Sequence, residues 1–124
     1  MNIIDCHNEI TSFVLLPAGS RGAGTVDGTA VDVTTYKGII KVILNGATGG
    51  TGTLNVKMQT GDLSNGSDAA DITGGAFTQI TTTGGNQALA IDTRGCKKFI
   101  RATATVGTGP QVFAVLAVAQ GAVI

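Results

Sequence analysis

Gly52-Thr53-Leu54-Asn55-Val56-Lys57-Met58-Gln59-Thr60 is the stretch on which the reading of this 124-residue chain turns. From Thr53 to Gln59 polar and apolar residues alternate without a break, which is the period of a strand with one face on a core and the other in water. Leu54, Val56 and Met58 are therefore expected in a core. Downstream, Gly61 to Asp71 reads as a polar loop with an Asn65-Gly66 turn signal, and Ala76 to Thr82 returns to strand-like composition.

Working outward, similar short runs recur on both sides. Ile10 to Leu16 is stopped by Pro17-Ala18-Gly19, and Ser20 to Gly28 reads as a flexible link. Thr29 to Val33 and Ile39 to Leu44 come next as strands, and the glycine-rich Asn45 to Gly52 reads as a hairpin loop leading into the quoted stretch. Gln87 to Thr93 is expected to pair with Ala76 to Thr82 through the turn Gly84-Gly85-Asn86. Lys97 to Val106 and Gln111 to Gln120 complete the set. Leu89, Ile91 and Ile100 join Leu54, Val56 and Met58 as expected core residues.

About eight short strands with glycine-rich turns and no helical periodicity point to an all-β fold, an antiparallel β-sandwich of jelly-roll type. An immunoglobulin-like sandwich is the alternative, although the tryptophan of a true immunoglobulin domain is missing. The length suits one domain. Residues 29–124 are expected to form its main body. Residues 1–28, comprising an N-terminal arm, the first strand and the link, are expected to pack on that body or exchange with a neighbour's.

Composition narrows the function classes. Charged residues make up 13% of the chain, against about 25% in an average protein, while there are 19 glycines and 18 threonines. The formal net charge is zero, so no general attraction to nucleic acid or to an anionic membrane is expected. The longest mainly apolar run, Val112 to Ala119, is far short of a membrane-spanning helix. Asp5 and Glu9 in the first ten residues do not fit a signal peptide, so assembly in a cytoplasm is expected.

No residue pattern supplies catalysis. His7 is the single histidine, on a terminal arm, and Cys6 beside it in sequence does not amount to a nucleophile and base across a cleft. Cys6 and Cys96 match no zinc or redox spacing and read as two reduced thiols, with a disulfide from the arm to the later strand as the other possibility. Gly22-Ala23-Gly24 lacks the βαβ unit or P-loop lysine of a phosphate site. Asp62, Asp68 and Asp71 offer oxygen ligands for calcium, but Gly66 and Thr73 stand out of register with an EF-hand loop, so no metal and no cofactor are expected. Arg94, Lys97, Lys98 and Arg101 read as a solvated strand edge, since with one tyrosine and no tryptophan the chain lacks a stacking platform for single-stranded nucleic acid.

The anomaly is an excess of apolar residues. Ile39 to Leu44 and Val112 to Ala119 are apolar on both faces, whereas a small sandwich leaves one face of each sheet in water. Such strands mark a protein–protein interface. Ile39, Ile43, Phe113 and Val115 are the residues expected to form it, in a homo-oligomer (dimer or trimer), a docking surface for another protein, or both.

The order of short motifs carries a resemblance. Thr29-Ala30-Val31-Asp32-Val33 is followed by Tyr36-Lys37-Gly38, then by Gly52 to Gln59, then by the polar loop with Ala69-Ala70-Asp71-Ile72. Ala76-Phe77-Thr78 comes next, and Ile91-Asp92 runs through Arg94-Gly95 to Lys98-Phe99-Ile100-Arg101-Ala102. This succession, covering about Thr29 to Gln120, resembles the capsid decoration or cement proteins of tailed bacteriophages. The resemblance implies a non-enzymatic jelly-roll subunit of the virion. It would bind the outer surface of an icosahedral head, assemble as a symmetric oligomer and reinforce seams between subunits of the major capsid protein. The alternative is a small ligand- or glycan-binding sandwich of a phage tail or fibre.

Overall fold

The computed structural model describes residues 10–34, 36–48 and 51–121. Cys6 and His7 lie outside the described residues. Among the described residues the chain forms nine strands and a single 3-10 turn at Thr93–Gly95. The strands are β1 (Ile10–Arg21), β2 (Gly24–Asp27), β3 (Val31–Asp32), β4 (Tyr36–Gly46), β5 (Thr53–Gly61), β6 (Ala70–Ala76), β7 (Gly85–Asp92), β8 (Phe99–Gly107) and β9 (Gln111–Gly121).

They build two antiparallel sheets. One has the order β1-β9-β4-β7 and the other β2-β8-β5-β6, with the two-residue β3 also paired to β8. Eight principal strands, each sheet interleaving early and late segments of the chain, make a jelly-roll sandwich. The alternation that begins at Thr53 is the pleat of β5, which lies between β8 and β6 and turns Leu54, Val56 and Met58 inward.

The core fills by complementary size. Ile40, Val42 and Leu44 on β4 and Leu54, Val56 and Met58 on β5 are large, whereas β8 contributes Ala102 and Ala104 and β9 contributes Ala117 and Ala119. Large against small side chains lets the two inner faces interdigitate. Ile91 and Ile100 are buried with them, and Leu89 is half-buried against the cluster. In β1, Leu15 and Leu16 are consecutive yet both buried. A register shift between Val14 and Leu16 makes this possible, because the extra residue of a bulge reverses the facing of the residues after it.

Two connections differ from the sequence-based expectation. Asn45 to Gly52 is not a hairpin loop, since β4 and β5 belong to different sheets, and the turn at Gly84-Gly85 likewise links β6 to a strand of the opposite sheet. A glycine-rich turn has the same composition whether the chain reverses within a sheet or crosses between two. The first crossover is held by Gln111, fully buried, whose Nε2 donates to the carbonyls of Thr51 (3.3 Å) and Gly52 (3.2 Å). Gly52 has φ +80° there, and a Cβ at that position would collide with the Gly107 carbonyl.

Candidate functional site

Pleating divides each strand of the four-stranded sheet into an inward and an outward set, and cross-strand pairing shows which outward residues meet. Val14 on β1 faces Leu116 on β9, Leu116 faces Ile43 on β4, and Ile43 faces Ala88 on β7. One apolar row therefore crosses all four strands. Beside it Val118 pairs with Lys41, which pairs with Ala90, and Ala114 pairs with Asn45. A shallow depression of about 170 Å³ lies over Val14, Ile43, Leu116 and Val118. The large apolar side chains most exposed among the described residues are Val14 (49%), Ile39 (54%), Leu63 (50%) and Val112 (44%), and all but Leu63 belong to this face. Among the residues whose side chains are described, Lys41 and the edge residue Asp92 are charges that interrupt it.

The outer face of the other sheet has the opposite character. Asn55, Lys57 and Gln59 on β5 stand among Arg101, Thr103 and Thr105 on β8, with Thr25 and Asp27 on β2 beyond them. These side chains bond one another. Arg101 Nε donates to Gln59 Oε1 at 3.0 Å, and Arg101 Nη1 lies 3.5 Å from Asp27 Oδ2. The Thr103 hydroxyl sits 3.0 Å from Asp27 Oδ1 and 3.1 Å from Gln59 Oε1. Gln59 Nε2 and Lys57 Nζ both donate to the Asp71 carboxylate, at 2.9 and 3.1 Å. Polar groups satisfied in this way leave little to gain from a partner, because any new contact must first replace bonds already made.

A concavity of about 720 Å³ is an open cleft at one end of the sandwich, lined by Tyr36, Gly38, Thr93, Cys96, Lys97 and Lys98 among others. Its chemistry is structural. Burial pushes the Cys96 thiol above its ordinary pKa, which keeps it protonated and a poor nucleophile. The Thr93 hydroxyl is committed to the backbone of Gly38, accepting from its N–H at 3.1 Å and donating to its carbonyl at 3.0 Å. Arg94, at the rim, is paired with Asp92 at 2.8 Å, and hydrogen bonds from Arg94 hold the Asp92 carboxyl down to about 2. The ring of Tyr36 stacks on Phe13, with centroids 5.8 Å apart, so it does not stand free as a sugar platform.

The acidic loop does not converge on a metal. Asp68 accepts from the backbone N–H groups of Asp62 (2.8 Å) and Leu63 (3.2 Å), contacts that lower its pKa, while Asp71 is drawn onto Lys57 and Gln59. Among the described residues no group of three His, Cys, Asp or Glu side chains is placed to hold a metal ion. No helix among them is long and apolar enough to cross a membrane.

The four residues expected at an interface separate into two pairs. Ile39 is exposed and Ile43 half-buried, both on the outer face. Phe113 and Val115 are not surface residues: they are 2% and 0% exposed, on the inner face of β9. The outward set of β9 is Val112, Ala114, Leu116 and Val118. Because β9 is apolar on both faces, its composition carries no sign of which set points inward, and pairing of Leu44 with Val115 decides it. Val14 escapes sequence reasoning for a related cause, since Phe13-Val14-Leu15-Leu16 is apolar throughout and carries no marker for the bulge after Val14 that lets Leu15 and Leu16 both turn inward.

Neither a family model nor a curated protein matches the sequence. The fold is similar to solved structures that include viral and prophage-derived proteins and a subunit of Bacillus endospore appendages, the last at a TM-score of 0.54 and 16% identity over 99% of this chain. The exported protein XepA of PBSX aligns with 99% of this chain at a TM-score of 0.66 and 14% identity. The SPBc2 prophage-derived protein YomS aligns with 97% at 0.57 and 13% identity. VP2 of the infectious bursal disease virus subviral particle aligns with 90% at 0.57 and 12% identity. The chain spans 40% of the XepA chain, 32% of the VP2 chain and all of YomS. At these identities the likeness is one of fold.

Proposed function

We propose that this chain is a structural protein of a virion, a decoration or cement subunit that sits on the outer surface of a tailed-phage head. In this reading it stabilises the icosahedral shell by bridging subunits of the major capsid protein, it acts as a homo-oligomer, and it performs no catalysis. The observation that carries the reading is the unequal treatment of the two outer faces. One is polar and bonded to itself, while the other presents Val14, Ile39, Val112 and the Ile43–Leu116 pair to solvent. An apolar patch of that extent on a small domain fits a face that is covered in use. The jelly-roll fold, the presence of viral and prophage-derived proteins among its structural neighbours, and the resemblance of the motif order to cement proteins support the same conclusion.

The test is to mix the purified protein with heads of the encoding phage assembled without it, and to sediment them. The protein should travel with the heads, and the decorated heads should withstand heating that opens bare ones. A protein that stays at the top of the gradient, or that instead binds an array of glycans, contradicts the proposal.

A further inference from the structure

The two sheets expose four edges, and three of them are blunted. β1 carries Pro17 and two register shifts, β6 is broken opposite Met58 by the bulge of residues 72–75, and β2 is four residues long. Breaks and prolines of this kind keep an edge from templating another strand. β7 has none of them. It runs from Gly85 to Asp92 in unbroken register with β4, from Gly46↔Gly85 to Ile39↔Asp92, and contains neither lysine nor proline. Among the described residues its other side pairs with no strand. Beside its end the sheets part in a cleft lined by Thr73, Ala90, Ile91 and Asp92.

We infer that β7 is the seam between two copies of this chain, which pair antiparallel through this edge about a two-fold axis at Leu89. The sequence of β7 is self-complementary in that register. Outward residues must meet outward residues, so Ala88 falls opposite the partner's Ala90, and Asp92 falls opposite the partner's Asn86. Ile91 meets the partner's Gln87, and no like charges oppose. Asp92 is in addition neutralised by Arg94 of its own chain at 2.8 Å. A two-fold seam is isologous and closes at two copies, which fits a discrete subunit better than a filament.

The pairing has a consequence for docking. A two-fold axis normal to the sheet joins two four-stranded sheets into one of eight strands with both apolar outer faces on the same side. The face proposed to meet the shell is thereby doubled. The seam itself uses a different surface, so it is tested on the isolated protein with no head present, and its outcome is read separately from the proposed function.

Sedimentation equilibrium of the purified chain should give twice the 12.4 kDa chain mass. Ala90 faces Lys41 of its own chain, so glutamate is placed at that position in both variants. Ala88→Glu combined with Ala90→Glu places like charges across the seam at both pairs and should halve that mass. Ala88→Lys combined with Ala90→Glu places opposite charges there and should restore it, which also shows that the exposed alanines tolerate charge without loss of fold. A monomeric or trimeric parent chain, a Glu/Glu variant that stays dimeric, or a Lys/Glu variant that stays monomeric would each overturn the pairing.

Discussion

Ile43 and Leu116 stand directly opposite each other on the outer face of the four-stranded sheet, and each is half-buried. Their inward neighbours Leu44 and Val115 are fully buried. The same two strands thus supply the core with one set of side chains and the outer face with the other. Replacing Ile43→Lys together with Leu116→Glu sets an opposite-charge pair across the strands, a combination antiparallel sheets accept. The expected result is a folded protein, destabilised by about 1 kcal/mol in urea unfolding, that no longer sediments with heads. Loss of folding would place this pair in the core instead.

The inward set should behave differently. Leu44→Ala and Leu54→Ala each remove a fully buried side chain from the packed interface of the sheets. Each should cost about 2–5 kcal/mol in equilibrium unfolding, the range for cavity-forming substitutions. Val56→Asp should leave no soluble folded protein, since it buries a carboxylate with no partner.

The contrast between these sets shows how far the sequence can be read. Thr53 to Gln59 is legible because its two faces differ in chemistry, so the pleat alone separates Leu54, Val56 and Met58 from Asn55, Lys57 and Gln59. Where both faces are apolar, as in β9, a strand can be recognised but its facing cannot, and Phe113 and Val115 trade places with Val112 and Leu116. β2 and β6 are hidden by glycine: Gly24-Thr25-Val26-Asp27 lies in what reads as a link. Ala70 to Ala76 is held at the sheet edge with help from the Asp71 bonds to Lys57 and Gln59, a long-range arrangement that local composition does not reveal. The sheet order and the contrast between outer faces emerge only from pairing.

Calcium should have no effect. The Asp68 oxygens are taken by the N–H groups of Asp62 and Leu63, and Asp71 is held on β6 by Lys57 and Gln59. Thermal melts in millimolar calcium and in excess chelator should coincide, and Asp68→Ala should fold and assemble with only a small fall in Tm. A calcium-dependent rise in Tm that Asp68→Ala abolishes would show that the loop rearranges into a metal site.

Acid should weaken the fold through a defined set of carboxylates. Asp92 is lowered from 3.8 to about 2 by its bonds from Arg94, and Asp32, Asp68 and Asp71 are lowered by hydrogen bonds from Thr34, from Asp62, and from Gln59 with Lys57. A group whose folded pKa lies below its unfolded value stabilises the fold above the unfolded value, and that contribution disappears as pH falls through the folded one. Tm should therefore change little on these groups' account between pH 7 and about 4, and then fall towards pH 2. Asp92→Asn should make that fall shallower. An equally steep fall in the variant would assign the acid sensitivity elsewhere.

The central claim is that the β1-β9-β4-β7 face meets a virus shell, and cryo-electron microscopy of decorated heads tests it most directly. The map should show the jelly roll on the outer surface of the head, with Val14, Ile43 and Leu116 against the major capsid protein and the Lys57–Gln59–Arg101 face towards solvent. Heads without this density, or density with the polar face against the shell, would contradict it.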